Sequence, residues 1–247
     1  MSDRKVHSPL IRPPLETQLL AQRVLVYETV ESTNDYALRL GGDGTLVITE
    51  QQTAGRGRQG RTWHSPAGLG LWFSLGFDGH LEGMQVVAAL SVRDAVRDLC
   101  ALNIKWPNDL LFGGKKLCGI LVEHKDNRTA VGIGLNVNHT LADFPEELHA
   151  SATSLAMSCG RELDRASILK RILQVFETYH LKSVEGEYVH IHQEWVAACD
   201  LLGKRIRWGS VEGKVTSIDA RGALCVETSE GEMQLLSGEI TTLESVS

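Results

Sequence analysis

Short apolar runs and amphipathic periods divide the chain into strands and a few helices. Alternating or continuous apolar stretches of four to eight residues are typical of strands. Apolar residues at helical spacing predict helices over residues 84–99, 165–185 and about 191–198. The predicted strands before residue 200 are 24–27, 46–49, 70–77, 104–106, 110–112, 117–123 and 130–136. Their close succession after residue 100 suggests a meander of antiparallel neighbours.

One further helix is predicted from a capping motif at its N-terminus. Ser32 and Asp35 stand three apart, a Ser-x-x-Asp spacing typical of a capped helix N-terminus, and the helix is expected to run through Leu40.

The pattern changes near residue 200. Four short strands, 205–208, 213–218, 223–227 and 233–236, recur at roughly ten-residue spacing. This spacing predicts a small C-terminal β-barrel. The expected organisation is a leader of uncertain order (1–20), a catalytic domain (21–200) and the barrel (201–247).

Composition and charge exclude several classes of protein. The 247 residues carry a net charge of -6, which is unfavourable for a general binder of nucleic acid or anionic membrane. The longest stretch without Asp, Glu, Lys or Arg, residues 62–77, contains Pro66 and three glycines and cannot form a spanning helix. Five widely spaced cysteines and no secretory signal favour reduced thiols and a cytoplasmic location.

A loop rich in glycine and arginine, Gly55–Arg61, formally matches the dinucleotide motif G-x-G-x-x-G. However, Pro66 and then a strand follow, where a Rossmann fold needs a helix, and no Walker Gly-Lys-Ser/Thr is present. Three guanidinium groups within six residues repel one another unless anions neutralise them, and phosphates are natural partners. The alternative is a solvated basic loop or a nucleic-acid contact.

A second candidate is the hairpin between residues 105 and 119. Lys116 begins a strand after the turn Gly113-Gly114, where the sheet can fix its ammonium group beside a developing negative charge. Taken alone, it could equally be a surface lysine.

Five segments in this order resemble biotin-protein ligases, that is, biotin-[acetyl-CoA-carboxylase] ligases. They are Ser-Thr-Asn (32–34), QTAGRGRQGRTW (52–63), KWPND (105–109), KLCGILVE (116–123) and GIGLNVN (132–138), and SGEI (237–240) resembles the family's terminal domain. The resemblance implies an α+β fold: a mixed, largely antiparallel sheet flanked by helices, as in class II aminoacyl-tRNA synthetases, with a small SH3-like barrel. Only about 23 residues precede the first matching strand, which suggests the ligase-only type without DNA binding.

The resemblance also implies a two-step reaction. Biotin and ATP form biotinyl-5'-AMP and pyrophosphate with Mg²⁺, and the biotinyl group then passes to a lysine of a biotin carboxyl carrier protein domain of acetyl-CoA carboxylase or a similar carboxylase. Dimerisation to a homodimer is left open. The nearest alternatives are a lipoate or octanoate ligase or transferase and a non-catalytic sensor of biotin or nucleotide.

Family correspondence assigns roles residue by residue. The catalytic set is Lys116, Arg58 and Arg56. The biotin-binding set is Ser32, Thr33, Asn34, Gln52, Arg56, Gly57, Arg58, Lys116 and Gly119. The ATP-binding set is Arg58, Arg61, Trp63, Asn108, Asp109, Lys116 and Asn136, with Asp109 also a candidate Mg²⁺ ligand.

Simpler interpretations stand beside these assignments. Ser32 could serve only as a helix cap, Trp63 as core, and the glycines before Asn136 as bulges. Cys118 is expected to pack in the interior, and His190-x-His192 lacks a third metal ligand. The loop over residues 55–66 is expected to be mobile without ligand and to close as a lid over the hydrolysis-prone anhydride.

Overall fold

The computed structural model describes residues 15–243, which form two sheets with helices packed around the larger one. The strands of the larger sheet are β1 (Val24–Val30), β2 (Thr45–Gln52), β3 (Gly70–Asp78), β4 (Asn103–Lys105), β5 (Asp109–Phe112), β6 (Lys115–Lys125) and β7 (Arg128–Asn136). Their spatial order is β1-β2-β3-β7-β6-β5-β4. Only β1 and β2 are parallel among these neighbours, which confirms the mixed, largely antiparallel sheet.

The helices cover both faces of this sheet. They are α1 (Thr33–Leu40), α2 (Met84–Ala95), α3 (Leu155–Cys159), α4 (Arg165–Lys182) and α5 (Tyr188–Cys199), with a π-helical turn at Ser183–Glu187 between the last two. On one face α2 and α4 pack together over the main core, where Phe77 of β3 stacks on Phe176 of α4.

Helix α1 lies on the opposite face. Val47 and Ala130 cluster with Ala37 of α1, whereas the neighbouring Leu46 and Val131 belong to the main core. Successive side chains of a strand alternate between faces, so these two clusters lie on opposite sides of the sheet. The N-terminus of α1 therefore lies on the same face as the even-numbered residues of β7.

The structure corrects three sequence-based expectations. Helix α2 ends at Ala95 rather than residue 99, because Val96 leaves the helical region (φ -113°) and a turn follows. Val96 is still buried, and this explains why the apolar pattern continued past the helix. Helix α3, only five residues long, was not predicted.

The third correction concerns the C-terminal sheet. Its strands are β8 (Arg205–Trp208), β9 (Val211–Ile218), β10 (Leu224–Thr228), β11 (Gly231–Leu235) and β12 (Thr241–Leu243), in the order β11-β10-β9-β8-β12. All pairs are antiparallel, consistent with the expected SH3-like barrel. The fifth strand, β12, was missed because it is short, largely exposed and without alternation.

The loop between β9 and β10 makes two hydrogen bonds to the rest of the molecule. The indole Nε1 of Trp106 donates to the buried carbonyl of Gly222 at 2.7 Å, and the Tyr188 hydroxyl donates to the carbonyl of Ala220 at 3.1 Å. Trp106 lies between β4 and β5, so the contact reaches the lysine hairpin directly. The domain limits at residues 20 and 200 stay predictions.

Part of the expected leader lies outside the described residues, and the remainder packs against α4. Leu20 is buried, and the Glu177 carboxylate accepts hydrogen bonds from the backbone N–H groups of Gln18, Leu19 and Leu20 at 2.6–3.0 Å. Within residues 15–243, none of the helices is long and apolar enough to span a bilayer.

Candidate functional site

A cavity of about 410 Å³ lies on the α1 face of the larger sheet. The structure brings every site residue nominated from the sequence to its wall. These residues are Ser32, Thr33, Asn34, Gln52, Arg56, Gly57, Arg58, Arg61, Trp63, Asn108, Asp109, Lys116, Gly119 and Asn136. They come from five separated segments of the chain: the start of α1, the end of β2 with the loop after it, the turn into β5, β6 and β7.

Polar side chains at the N-terminus of α1 form a fixed network at one end of the cavity. The Thr33 backbone N–H donates to Gln52 Oε1 at 2.9 Å, and Gln52 Nε2 donates to Ser65 Oγ at 3.0 Å. The buried Ser74 hydroxyl lies 2.6 Å from Asn34 Oδ1 and 2.7 Å from Thr33 Oγ1. These bonds fix the side chains before any ligand arrives, as a site for a small polar group requires.

Ser32 is the N-cap residue of α1, but its side chain makes no capping hydrogen bond. The expected capping interaction is therefore absent, although the helix begins where the pattern places it. Ser32 is buried and lines the cavity, so the cap-only interpretation does not describe its surroundings.

A row of glycines forms the cavity floor. A Cβ on Gly132 would lie 2.4 Å from Asn34 Oδ1, and a Cβ on Gly134 would lie 2.5 Å from the indole nitrogen of Trp63. Gly119 on β6 stands opposite Gly134, and a Cβ on Gly119 would lie 2.9 Å from a ring carbon of the same indole. Strand register is continuous through these positions, so they are not bulges. Their role is to leave space for side chains that stand over the sheet.

The lysine hairpin places the ion pair of Lys116 and Asp109 at the other end of the cavity, and Lys105 also lines the wall there. Lys116 Nζ lies 2.7 Å from Asp109 Oδ1 and 5.1 Å from the ring centroid of Trp63. On the opposite face of β6, Cys118 is fully buried, and burial raises the pKa of its thiol far above the ordinary value. This confirms that Cys118 packs in the interior.

The first arginine of the loop is held by carboxylates. Arg56 forms a two-pronged ion pair with Asp35, at 2.7 and 2.6 Å, and lies 3.5 Å from Glu123 Oε2. The hydrogen bond to Asp35 is the main reason that the pKa of Arg56 lies above its ordinary value, and the same bond lowers the pKa of Asp35.

The other two arginines reach the C-terminal sheet. Arg58 Nη2 donates to the carbonyl of Leu236 at 3.1 Å, and Arg61 lies 2.7 Å from a carboxylate oxygen of Glu239. Burial lowers the pKa of Arg58, and the nearby charge of Asp109 acts against that shift. Two of the three arginines are thus neutralised by anions of the protein itself, the carboxylates of Asp35 and Glu239, and the expected contact with phosphates stays a prediction. A bridge between Arg56 and Thr62 closes the loop, and its mobility stays a prediction.

Sequence reasoning missed one wall of the cavity. Phe144 and Leu148 line it from a segment without a motif, and His64 Nε2 lies 3.2 Å from the carbonyl of Asp143 in that segment. Phe144 stacks on the buried ring of His139, whose pKa burial lowers to about 4, so that ring is neutral at pH 7. The nearest available signal was the apolar pair Phe144 and Leu148, which no single-sequence motif distinguishes from core.

Two asparagines, which the family resemblance assigns to ATP binding, complete the wall of the cavity. Asn136 donates from Nδ2 to the carbonyl of Thr153 at 3.0 Å, and Asn108 donates from Nδ2 to the carbonyl of Ile120 at 2.8 Å. These bonds fix the orientation of both side chains.

A resident metal centre does not fit the described residues, whereas a nucleotide-borne Mg²⁺ does. Residues 15–243 contain no group of three His, Cys, Asp or Glu that could hold a metal, which covers His190 and His192. Asp109 Oδ1, although close to Lys116, is buried and receives no well-aligned hydrogen bond from the described groups. Mg²⁺ often uses one carboxylate together with phosphate oxygens and water.

Comparison with known proteins gives two family matches. A model described as the biotin/lipoate A/B protein ligase family matches residues 26–139, and a model described as the biotin protein ligase C terminal domain matches residues 202–241.

Similar proteins extend the match over nearly the whole chain. The bifunctional ligase/repressor BirA of Bacillus subtilis (strain 168) is 34% identical over 256 residues, covering 96% of this chain and 79% of that protein. The biotin--[acetyl-CoA-carboxylase] ligase of Mycobacterium tuberculosis (strain ATCC 25618 / H37Rv) is 30% identical, with 94% and 97% covered. Among solved structures, biotin protein ligase from Aquifex aeolicus in complex with biotin and ATP superposes with a TM-score of 0.77 at 30% identity, covering 91% of this chain and 100% of that one.

Proposed function

The chain belongs to the biotin protein ligases of the biotin/lipoate A/B protein ligase family, and from that premise we propose that it activates biotin with ATP and transfers it to a carrier lysine. The products of the first step are biotinyl-5'-AMP and pyrophosphate. The acceptor of the second is a lysine of a biotin carboxyl carrier protein domain, as the name of the Mycobacterium tuberculosis relative suggests.

The single observation that carries this proposal is the arrangement of charge in one cavity. Arg58, Arg61 and Lys116 all line the space in which the polar network of α1 also ends. A carboxylate that attacks a triphosphate must approach a polyanion, and positioned cations lower that repulsion where the negative charge develops. A site built only to bind biotin would have one carboxylate to neutralise, and it would not need three cations.

In the first step a biotin carboxylate oxygen attacks the α-phosphorus of ATP, and the bond from that phosphorus to the bridging oxygen of pyrophosphate breaks. Lys116 stands where the hairpin meets Trp63, which suits contact with the biotin carboxylate and α-phosphate. Arg61, largely exposed, is suited to the departing phosphates. When bound with ATP, Mg²⁺ would neutralise phosphate charge, and the cavity-lining carboxylate of Asp109 would help to hold it.

Biotin recognition is assigned to the α1 end. The ureido edge of biotin both donates and accepts hydrogen bonds, and Ser32, Thr33, Asn34 and Gln52 offer matching groups on a buried wall. A lipoyl or octanoyl chain has no such edge, so it would exclude water from this polar wall without offering it a hydrogen bond in return. The network therefore favours biotin over those alternatives.

In the second step the neutral amine of the acceptor lysine attacks the carbonyl carbon of the mixed anhydride. The bond from that carbon to the AMP oxygen breaks, AMP leaves, and the amine proton is lost to solvent or a neighbouring base. Trp63, Phe144 and the loop that carries Arg58 surround the cavity and would limit access of water to the anhydride.

The test is transfer to a purified carrier domain. Labelled biotin, MgATP and a biotin carboxyl carrier domain are incubated with the protein, and label is counted on the carrier and on a variant whose acceptor lysine is arginine. Label on the first carrier alone supports the proposal. Preferential transfer of lipoate or octanoate, or binding of biotin and ATP without transfer, would contradict it.

A further inference from the structure

Asp35 combines two features that the sequence pattern does not explain together. It occupies the first turn of α1, three residues after the N-cap Ser32, where a carboxylate commonly caps the helix. Its oxygens instead accept two hydrogen bonds from Arg56, at 2.7 and 2.6 Å. The carboxylate is thus turned away from its own helix and toward the loop.

The geometry of this pair is restrictive. A two-pronged arginine–carboxylate contact fixes the plane of the guanidinium group as well as its distance. The second prong, Arg56 Nη2, also lies 3.5 Å from Glu123 Oε2 on β6. Glu123 in turn accepts a hydrogen bond from Asn34 Nδ2 at 2.7 Å, and Asn34 is itself bonded to the carbonyl of Leu121.

The Asp35–Arg56 pair can fix the position of the Arg56 guanidinium group, but it adds little to the stability of the fold. Both side chains are partly exposed, at 36% for Arg56 and 46% for Asp35. Ion pairs at such positions contribute little to folding. However, Arg56 opens the loop that carries Arg58 and Arg61, and the residue before Asp35 lines the cavity. The pair therefore connects the start of the loop over residues 55–66 to the N-terminus of α1, where biotin recognition is assigned.

We propose that Asp35 is a positioning residue for biotin binding: by holding the Arg56 guanidinium against α1, it sets the entrance of the arginine loop before the ligand arrives. The inference rests on the proposed function, with Arg56 acting on substrate and Asp35 acting through Arg56. Asp35 does not line the cavity, and it does not contact Lys116 or Arg61, so the phosphate side should be unaffected by its loss.

The experiment compares Asp35→Asn, Asp35→Glu and Asp98→Asn with the unaltered protein. Asp98 is a matched control, because it forms a similar two-pronged pair with Arg171, at 3.1 and 2.5 Å, on a surface away from the cavity. Biotin-dependent exchange of pyrophosphate into ATP gives kcat and the KM of each substrate. Backbone hydrogen exchange over residues 55–66 without ligands reports the loop itself.

For Asp35→Asn we expect the biotin KM to rise about ten- to 100-fold, since small misplacements of binding groups have large effects. The ATP KM and the saturated kcat should stay within threefold, roughly, as expected for loss of uniform binding. Asp35→Glu should recover most of the affinity, and Asp98→Asn should change nothing. A biotin KM unchanged in Asp35→Asn, or kcat and both KM values altered alike, would overturn the proposal.

The hydrogen-exchange measurement separates this inference from the proposed function. If the unaltered protein shows no pyrophosphate exchange, the proposed function fails. The effect of the Asp35–Arg56 pair on the loop can still be tested by hydrogen exchange. Faster exchange over residues 55–66 in Asp35→Asn and not in Asp98→Asn supports it, whereas equal exchange in both variants overturns it.

Discussion

Lys116 and Asp109 face each other in the β5–β6 hairpin, with the lysine ammonium nitrogen 2.7 Å from a carboxylate oxygen. Both line the cavity, and the pair gives the ligand-free site a local balance of charge. Arg56 with Asp35 and Arg61 with Glu239 repeat the arrangement. Anionic substrates would thus meet cations already held in place by carboxylates rather than a bare positive surface.

Replacing Lys116 tests the central cation. In Lys116→Ala the rate of biotin-dependent pyrophosphate exchange should fall by about 10²- to 10³-fold, the usual effect of removing one group that stabilises developing negative charge. Lys115→Ala is the control, because Lys115 donates to the carbonyl of His149 and does not line the cavity. Equal rates in the two variants would show that Lys116 takes no part in activation.

Arg58 tests retention of the adenylate. In Arg58→Gly we expect faster release of biotinyl-5'-AMP, and consequent labelling of lysines on unrelated proteins, because the guanidinium grip and the contact with Leu236 are both lost. Arg58→Lys, which keeps the charge but not the planar fork, should show an intermediate release rate. Dissociation of the adenylate at the unaltered rate in Arg58→Gly would contradict this role.

The glycine floor gives a steric prediction. A methyl group at position 134 would lie 2.5 Å from the Trp63 indole nitrogen. Overpacking costs about 1–3 kcal/mol, so Gly134→Ala should raise the ATP KM roughly tenfold or more. Gly76→Ala is the comparison: its Cβ would approach the Ala37 carbonyl at 3.2 Å, away from the cavity, and should affect stability only. An unchanged ATP KM in Gly134→Ala would mean that Trp63 does not position the nucleotide.

Glu177 gives a prediction for stability and pH. Burial acts to raise its pKa, but hydrogen bonds from the backbone N–H groups of Gln18, Leu20 and Leu19 outweigh burial, so the pKa lies below the ordinary value. The carboxylate therefore stabilises the fold above about pH 4.3, its usual pKa, and this contribution is lost as pH falls through the lowered value.

Urea unfolding of Glu177→Gln at pH 7 should accordingly show a loss of about 1–3 kcal/mol. The difference from the unaltered protein should shrink toward pH 3. The exposed Glu162, replaced in the same way, should cost almost nothing. A pH-independent difference for Glu177→Gln would indicate that charge is not what holds residues 18–20.

The sequence predicted those strands and helices in which apolar residues recur at the spacing of the element. Short apolar runs located β1 to β7, and helical spacing located α2 and α4, because these elements bury most of their apolar side chains. Strand β12 and helix α3 were missed, since elements of three and five residues carry too few positions for a period. The end of α2 was overestimated because buried Val96 prolongs the apolar pattern into a turn.

For the candidate site, motifs identified residues but not their partners. Family segments placed Lys116, Arg58 and Asn136 on one cavity wall. Glu239 was not foreseen as a partner of Arg61, because it lies far along the chain, in the segment between β11 and β12. Asp35 looked like a capping residue, and only tertiary structure shows that its carboxylate turns to Arg56.

The most direct test of the account is the product formed by purified protein from biotin and MgATP without any acceptor. Mass spectrometry of the protein-bound fraction and a pyrophosphate assay are read together over a single turnover. We predict bound biotinyl-5'-AMP and an equal amount of pyrophosphate, both dependent on biotin. Pyrophosphate release that is independent of biotin, or the absence of the mixed anhydride with both substrates bound, would contradict it.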